Sequence, residues 1–399
     1  MQRSGFYHNI IDKGELIMLI IKNGVIHDAI HPIPYTADIL IEDKKIIHID
    51  QNIQESDAEI FDAAGLDTYP GFIDAHSHLG VFGLSGQATK DDAEKNDPVT
   101  PHHRGIDCVN PLAFTFPKAL QAGVTCVCTG PGSVGVIAGT HVAMKTSGYH
   151  LDKMIVKNPV AMKAAVGENP KTHMSKFITT RLTIAALIRD TLLQAKEYKA
   201  KKDAAVENNS TKPPYSPKLE ALIPVIEKKI PLKVHGYRVD DLQTVIRIAK
   251  ECDIEITLEH AADAYMLADE LAKDKIPVAV GPFFTQPKRS ETENKSPEHA
   301  VELFRAGVCV SVTTDDPAIS SEYLALSAGL LMREGLSEFE ALQTITVNPA
   351  KHLRIEDRLG SITVGKDADF VLAKGCPMQV TVKPEAVFVD GSLVYQRGK

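Results

Sequence analysis

The residues best suited to chemistry in this chain are histidines and aspartates that end apolar runs. His76 and His78 stand one residue apart in GFIDAHSHLG, residues 71–80. In an extended strand, residues i and i+2 point to the same side, so the two imidazoles would project together from the strand's end. Such a pair can grip one metal ion; alone it can equally be structural, accepting backbone hydrogen bonds. His235 follows PLKV, His260 follows IEITLE and Asp315 follows VCVSVTT. Each alone also has a plain reading, as a satisfied core histidine or a helix-capping aspartate. Four histidines and one aspartate recurring at the same place relative to an apolar run point to one metal-binding rim. Neutral imidazoles and carboxylates are ligands that suit zinc.

Elements must bring those five residues together. From Met18 to about Gly65 the chain reads as short strands, MLIIKNGVIHD, ADILIEDKKIIHID and AEIFDAA, separated by turn residues. The C-terminus has the same character, with DADFVLAKG followed by EAVFVDGSLVYQ, where Asp390-Gly391 between alternating apolar runs signals a hairpin. The two ends are expected to form one β-sandwich. Between them, apolar strands alternate with helical text, which points to a parallel α/β architecture. Strand candidates lie around TYPGFID, GVTCVCT, THVAMKT, PVAMKAAV, PLKVHG, IEITLEH, IPVAVG and GVCVSVTT. DDLQTVIRIAKE, AYMLADELAKD, PEHAVELFRAG and EYLALSAGLLMREG place apolar residues at three- and four-residue steps and are expected as helices. Ser337 and Glu340 form a capping box for one more.

The expected fold class is therefore α/β, a (β/α)8 TIM-like barrel with a small β-sandwich domain built from both termini. Residues 1–17 read as an N-terminal extension, 18–65 and 359–399 as the two parts of the sandwich, and 66–358 as the barrel. No good helix separates the second, third and fourth strand candidates. Active sites of such barrels sit at the C-terminal ends of the strands, where the five residues stand.

Composition narrows the partners. The 399 residues are 44% hydrophobic and 24% charged, a mix that buries a large core. A formal net charge of −8 argues against nucleic acid, whose non-specific affinity comes from lysine and arginine on phosphates. Six cysteines are too sparse for a disulfide scaffold, and no long apolar run precedes the first structured segment as a secretory signal would. No stretch approaches the roughly 18 apolar residues of a membrane span. The expectation is a cytoplasmic protein with a small-molecule substrate and no nucleic-acid or membrane partner, with self-association into a homo-oligomer left open.

Other motifs carry less. GPGSVG, Gly130 to Gly135, satisfies G-x-G-x-x-G, but the strand-like VIAGTHVAMKT follows where a dinucleotide site needs a helix. Cys126 and Cys128 have no second pair to complete a zinc cage and read as core. His102 and His103 lie in loop-like text with no strand to fix them. The lysines between Lys196 and Lys218 read as a solvated helix end and a loop.

Together these features resemble the amidohydrolase superfamily: H-x-H after strand one, single histidines after strands five and six, an aspartate after strand eight, and a β-sandwich split between the termini. The resemblance runs from about Met18 to the end. HRGIDCVNP, GVTCVCTGPGSVGVIAG, MKAAVGENPK and VTTDDPA look most like the branch related to imidazolonepropionase. What it implies is zinc, two ions rather than one, with other divalent metals open, held by His76, His78, His235, His260 and Asp315. A bound ion would lower the pKa of a coordinated water from about 15.7 towards 7. Asp315 would take that water's proton and pass it to the leaving nitrogen, as general base and then acid. Asp316 is the alternative; Asp315 is preferred because the family's aspartate commonly lies two residues before a proline, here Pro317.

Two-metal members of the superfamily place an anionic bridge on the fourth strand. Glu168, already anionic and at the strand's end, is preferred as that ligand over Lys163, which could bridge only after carboxylation by carbon dioxide. Tyr237 and Arg238, next to His235, are candidates to stabilise an oxyanion or hold a substrate carboxylate, or else pack in a loop and pair at the surface. The implied activity is hydrolysis of a carbon–nitrogen bond in an amide, a cyclic amide or a dipeptide. The alternatives are deamination of a cyclic amidine, attack on a phosphotriester, and a catalytically silent amidohydrolase-fold scaffold.

Overall fold

The computed structural model describes residues 18–82, 91–287 and 289–398. Residues 1–17, expected as an N-terminal extension, lie outside them. A first sheet begins with β1 (Leu19–Ile26), β2 (Tyr35–Glu42), β3 (Lys45–Asp50), β4 (Glu59–Asp62) and β5 (Asp67–Pro70). The barrel then takes β6 (Phe72–Asp74), β7 (Val124–Thr129), β8 (Ile137–Lys145), β9 (Ile155–Ala165), β10 (Leu232–Gly236), β11 (Ile256–His260), β12 (Val278–Val280) and β13 (Val310–Val312). The chain returns to the first sheet with β14 (Phe370–Ala373), β15 (Pro384–Val389) and β16 (Ser392–Gln396).

Both termini share one continuous sheet, in the order β16-β15-β14-β5-β1-β2-β3 with β4 on β1. Its seam is antiparallel, with Phe370 opposite Pro70 and Ala373 opposite Asp67. The sheet closes over an apolar core that includes Ile21, Ile39, Ile41, Phe370, Leu372 and Phe388. The expected hairpin forms at Asp390-Gly391, both at positive φ (49° and 74°), the backbone that a tight turn of matching twist needs.

The barrel sheet runs β6 to β13 in sequence order. Its strands are buried nearly throughout, as strands covered on both faces must be. One strand departs from the expected parallel set: β8 pairs antiparallel with both β7 and β9. Antiparallel neighbours need no crossover helix, which is why no helical text separates those three segments. The run TYPGFID also divides, β5 going to the terminal sheet and β6 to the barrel. Gly71 is the pivot: a Cβ there would stand 2.1 Å from Thr125 Oγ1.

Helices at Val239–Cys252, Ala268–Lys273, Pro297–Arg305 and Leu324–Arg333 follow the later strands. Ser337 and Glu340 form the expected capping box, Glu340 N–H donating to Ser337 Oγ (3.3 Å) and Ser337 N–H to Glu340 Oε2 (2.8 Å). Three lysines of the helix Arg181–Glu207 are paired locally, Lys199 with Asp203, Lys201 with Glu197 and Lys202 with Glu220. Among the described residues, no helix is long and apolar enough to cross a membrane.

Candidate metal centre and active site

The first and last strands of the barrel sheet, which do not pair with each other, are tied together at their ends, and this assembles the rim. Asp74, fully buried at the end of β6, accepts from Thr313 Oγ1 (2.8 Å), His76 N–H (3.2 Å) and Thr314 N–H (3.3 Å). It ties the first strand to the segment after the last, and burial pushes its carboxyl up to about 6. Past the strands, Asp315 N–H donates to the His76 carbonyl (3.2 Å) and His78 N–H to that of Asp316 (2.8 Å). His260 and Asp315 both adopt left-handed backbone, φ 69° and 52°, uncommon for these residues and frequent at functional sites.

Three imidazoles converge on one carboxylate oxygen. Asp315 Oδ1 lies 3.5 Å from His76 Nε2, 3.5 Å from His78 Nε2 and 3.9 Å from His260 Nε2. The ligand atoms of His76, His260 and Asp315 all fall within 4.8 Å of one another. His78 Nδ1 meets the Gly130 carbonyl (2.8 Å) and His260 Nδ1 that of Gly281 (2.9 Å). Carbonyls only accept, so each Nδ1 carries the proton and each Nε2 offers a lone pair to the site. His260 Nε2 and His235 Nδ1 are buried with no hydrogen-bond partner among the described residues. Buried polar atoms are rarely left so, and a divalent ion is the group that nitrogen and carboxylate donors in this arrangement fit.

Charge states agree with that fit. Burial, reinforced by nearby Lys163, holds His76 well below its ordinary value; burial does the same for His235 and also lowers His260, against the pull of Asp315. All three are neutral imidazoles at pH 7, the form that binds metal. Burial opposes ionisation of Asp315, but His260 and His78 outweigh it and keep the carboxylate below its usual range. Asp316 turns away: its Oδ2 accepts Ser321 N–H (2.9 Å).

Of the two candidate bridges, the structure brings Lys163 and not Glu168 to the cluster. Lys163 is fully buried on β9, with Nζ 3.4 Å from His76 Nε2. Glu168 opens the short helix Glu168–His173, where its N–H donates to Glu291 Oε2 (2.9 Å) and its Oε1 faces Ser290 Oγ at 3.4 Å. The turn through Gly167 carries its side chain past the rim. Arg238 is likewise spent elsewhere, its Nε and Nη2 donating to Asp240 (3.0 and 2.8 Å) at the exposed start of a helix. Tyr237 does face the site, stacked on His260 at 5.1 Å and edge-on to His235 at 5.0 Å.

Several polar residues of the site escape a reading by strand ends. Beneath the rim, Lys233 Nζ lies 2.7 Å from Glu259 Oε2, and His352 Nε2 lies 3.0 Å from Glu259 Oε1, all within the barrel interior. Glu259 Oε2 is also 3.7 Å from His76 Nδ1. His141, on β8, stacks on His76 at 5.9 Å and bonds the Pro131 carbonyl (2.8 Å). Asn169 Nδ2 lies 3.0 Å from His235 Nε2, and Arg289 donates to Asn169 Oδ1. Cys126 and Cys128 are buried in β7, and His102 and His103 line a separate surface cavity of about 620 Å³.

Comparison with known proteins gives one consistent relationship. A model of the amidohydrolase family matches residues 68–394. The chain is similar to an amidohydrolase of known crystal structure from Thermotoga maritima MSB8, 37% identical with a TM-score of 0.92, over 95% of this chain and 100% of that one. It is 28% identical over 389 residues to amidohydrolase tasK of Hapsidospora irregularis, 90% of this chain and 40% of that protein. A stretch of 76 residues is 50% identical to D-hydantoinase of Geobacillus stearothermophilus, 19% of this chain and 15% of that protein. The chain thus spans less than half the length of either curated relative.

Proposed function

The chain belongs to the amidohydrolase family, and from that premise we propose that it is a metal-dependent hydrolase cutting a carbon–nitrogen bond of an amide, a cyclic amide or a dipeptide. The observation that carries this reading is the convergence of His76, His78 and His260 Nε2 on Asp315 Oδ1. His76, His78, His235, His260 and Asp315 would hold divalent ions, with zinc the best match to their donor atoms. Such an ion supplies Lewis acidity, polarising the scissile carbonyl and making water nucleophilic near neutral pH.

The chain's own groups supply the rest. Asp315, ionised and at the centre of the imidazoles, accepts the attacking water's proton and returns it to the departing nitrogen, which leaves as an amine or amide N–H. Tyr237, whose phenol burial keeps protonated, stands on the same rim as a donor to the carbonyl oxygen as it gains charge. The backbone carbonyls of Gly130 and Gly281 hold two rings in the tautomer that ligation needs.

In this reading Lys163 would supply the anion shared by two ions. Burial pushes its amine down to about 7, so a large share is neutral at physiological pH. A neutral amine nitrogen can bond to the carbon of CO2 and release one proton, leaving a carbamate anion. Two divalent ions held close together would repel unless a shared anion lay between them, and a carbamate on Lys163 would supply one.

The test is metal analysis followed by a screen of N-acyl amino acids, dipeptides and cyclic amides, with acid and ammonia both measured. Two ions per chain, and acid release lost on chelation, are expected. A protein that takes up no divalent ion sinks the proposal, and ammonia from an amidine without acid release replaces it with a deaminase.

A further inference from the structure

We propose that Arg289 forms a carboxylate-binding subsite beside the rim, so that the substrate is an acyclic amide bearing a free carboxylate, an N-acyl amino acid or a dipeptide. The inference narrows the hydrolytic reading above and rests on it for the word substrate, though not for the subsite. Arg289 lies in the segment between β12 and the helix Pro297–Arg305, at the C-terminal face of the barrel. Its Nη1 donates to Asn169 Oδ1 and lies 3.2 Å from Glu291 Oε1, an ion pair without a hydrogen bond. Asn169 in turn touches His235 Nε2. The guanidinium therefore stands one side chain away from a metal-binding histidine.

The support beneath Arg289 is built into the fold. The Glu291 side chain is only 1% exposed, and its other oxygen accepts Glu168 N–H and lies 3.8 Å from Arg181. Glu291 reaches that place because residue 167 is glycine: a Cβ there, at φ 81°, would stand 2.8 Å from Glu291 Oε2. One nitrogen of the guanidinium is thus fixed from behind. Among the described residues, no hydrogen bond engages Arg289 Nε or Nη2, and a third of the side chain is open to solvent. A planar fork held at one end and vacant at the other is suited to a carboxylate taken in two parallel hydrogen bonds. Arg238, the arginine nearer in sequence, has already spent that geometry on Asp240.

A structural ion pair with Glu291 is the plain alternative, and substrate choice separates the two. Metal-loaded protein is assayed with N-acetyl-L-leucine, L-leucyl-L-leucine and their C-terminal carboxamides, and binding of the two acids is measured by calorimetry. The acids are expected to be preferred, and Arg289→Met to lower their kcat/KM by about 100-fold, mostly through KM, with a far smaller loss for the carboxamides. Arg289→Lys keeps the charge beside Glu291 but not the fork, and an intermediate loss is expected. Equal losses on acids and carboxamides, no preference for the acids, or turnover of a cyclic amide alone, overturns the subsite and leaves hydrolysis standing. If nothing is hydrolysed but the acids bind wild type and not Arg289→Met, the subsite stands and the hydrolytic reading fails. Absence of any Arg289-dependent binding or turnover removes the subsite.

Discussion

Three nitrogens aimed at one oxygen set the expectation for single residues. His76→Asn or His235→Asn should lower metal content and remove activity while circular dichroism and solubility stay near wild type, because the ligands sit on the rim and not in the packed layers. Asp315→Asn should depress kcat by orders of magnitude; Asp316→Asn, whose amide oxygen can still accept Ser321 N–H, should be milder. The reverse ranking would move the proton-transfer role to Asp316. Below the rim, Lys233→Met leaves Glu259 buried and half-paired, a loss of about 3–5 kcal/mol by urea denaturation, and the double variant Lys233→Met/Glu259→Gln should recover much of it. If the double variant is no more stable than the single, the two residues are not acting as a pair. The five rim residues are legible in the sequence because each ends an apolar run. Lys233 leaves a signal too, a lone charge inside PLKVHG, and Glu259 a weaker one, the second of two glutamates in IEITLEH but the one set among the apolar residues at the strand's end. Arg289 and Asn169 leave none, since loop side chains point in directions that no periodicity reveals. Position along the strand, which sequence shows, favours Glu168 over Lys163; the turn at Gly167 that reverses the choice leaves no such trace.

Among the elements, the later half of the barrel follows its helical periodicity closely, and the earlier half departs where β8 reverses direction. The trace of that reversal is that nothing longer than the single turn Leu151–Met154 separates β7, β8 and β9, since a parallel crossover takes a dozen residues or more. The family resemblance rests on the spacing of the rim histidines and Asp315 along these strands, whereas the imidazolonepropionase-related branch rests on the texts around them. The division of TYPGFID at Gly71 is a packing matter and leads to a further expectation. Gly71→Ala forces a methyl against Thr125, which is itself fully buried, and should cost about 1–3 kcal/mol. Thr125→Ala in that background removes the nearest atoms and should return part of the loss. Additive effects of the two substitutions would show that Thr125 is not the obstacle, and that the glycine serves the backbone alone.

At the scale of the whole molecule, barrel and terminal sheet are joined through buried charge. Lys145, 3% exposed at the end of β8, lies 3.2 Å from Asp367, 2.7 Å from Asp369 and 3.0 Å from Asp390. Lys45 and Arg358 also reach Asp367, at 2.6 and 2.7 Å. Burial opposes ionisation of Asp367, but Lys145, Lys45 and Arg358 outweigh it and hold its carboxyl down to about 2. A carboxyl whose folded value lies below its unfolded value of about 3.9 contributes stability above that pH and loses it as pH falls through the folded value. Asp367 should therefore strengthen the junction at pH 5 and cease to do so by about pH 2. Asp369, which burial pushes the other way, contributes with the opposite sign, so the wild-type curve alone does not isolate Asp367. The comparison that does is wild type against Asp367→Asn in the metal-free protein, by urea denaturation at pH 5, 4, 3 and 2. The stability gap between them should narrow steadily across that window, and a gap that stays constant would mean that the charge of Asp367 does not hold the terminal sheet to the barrel.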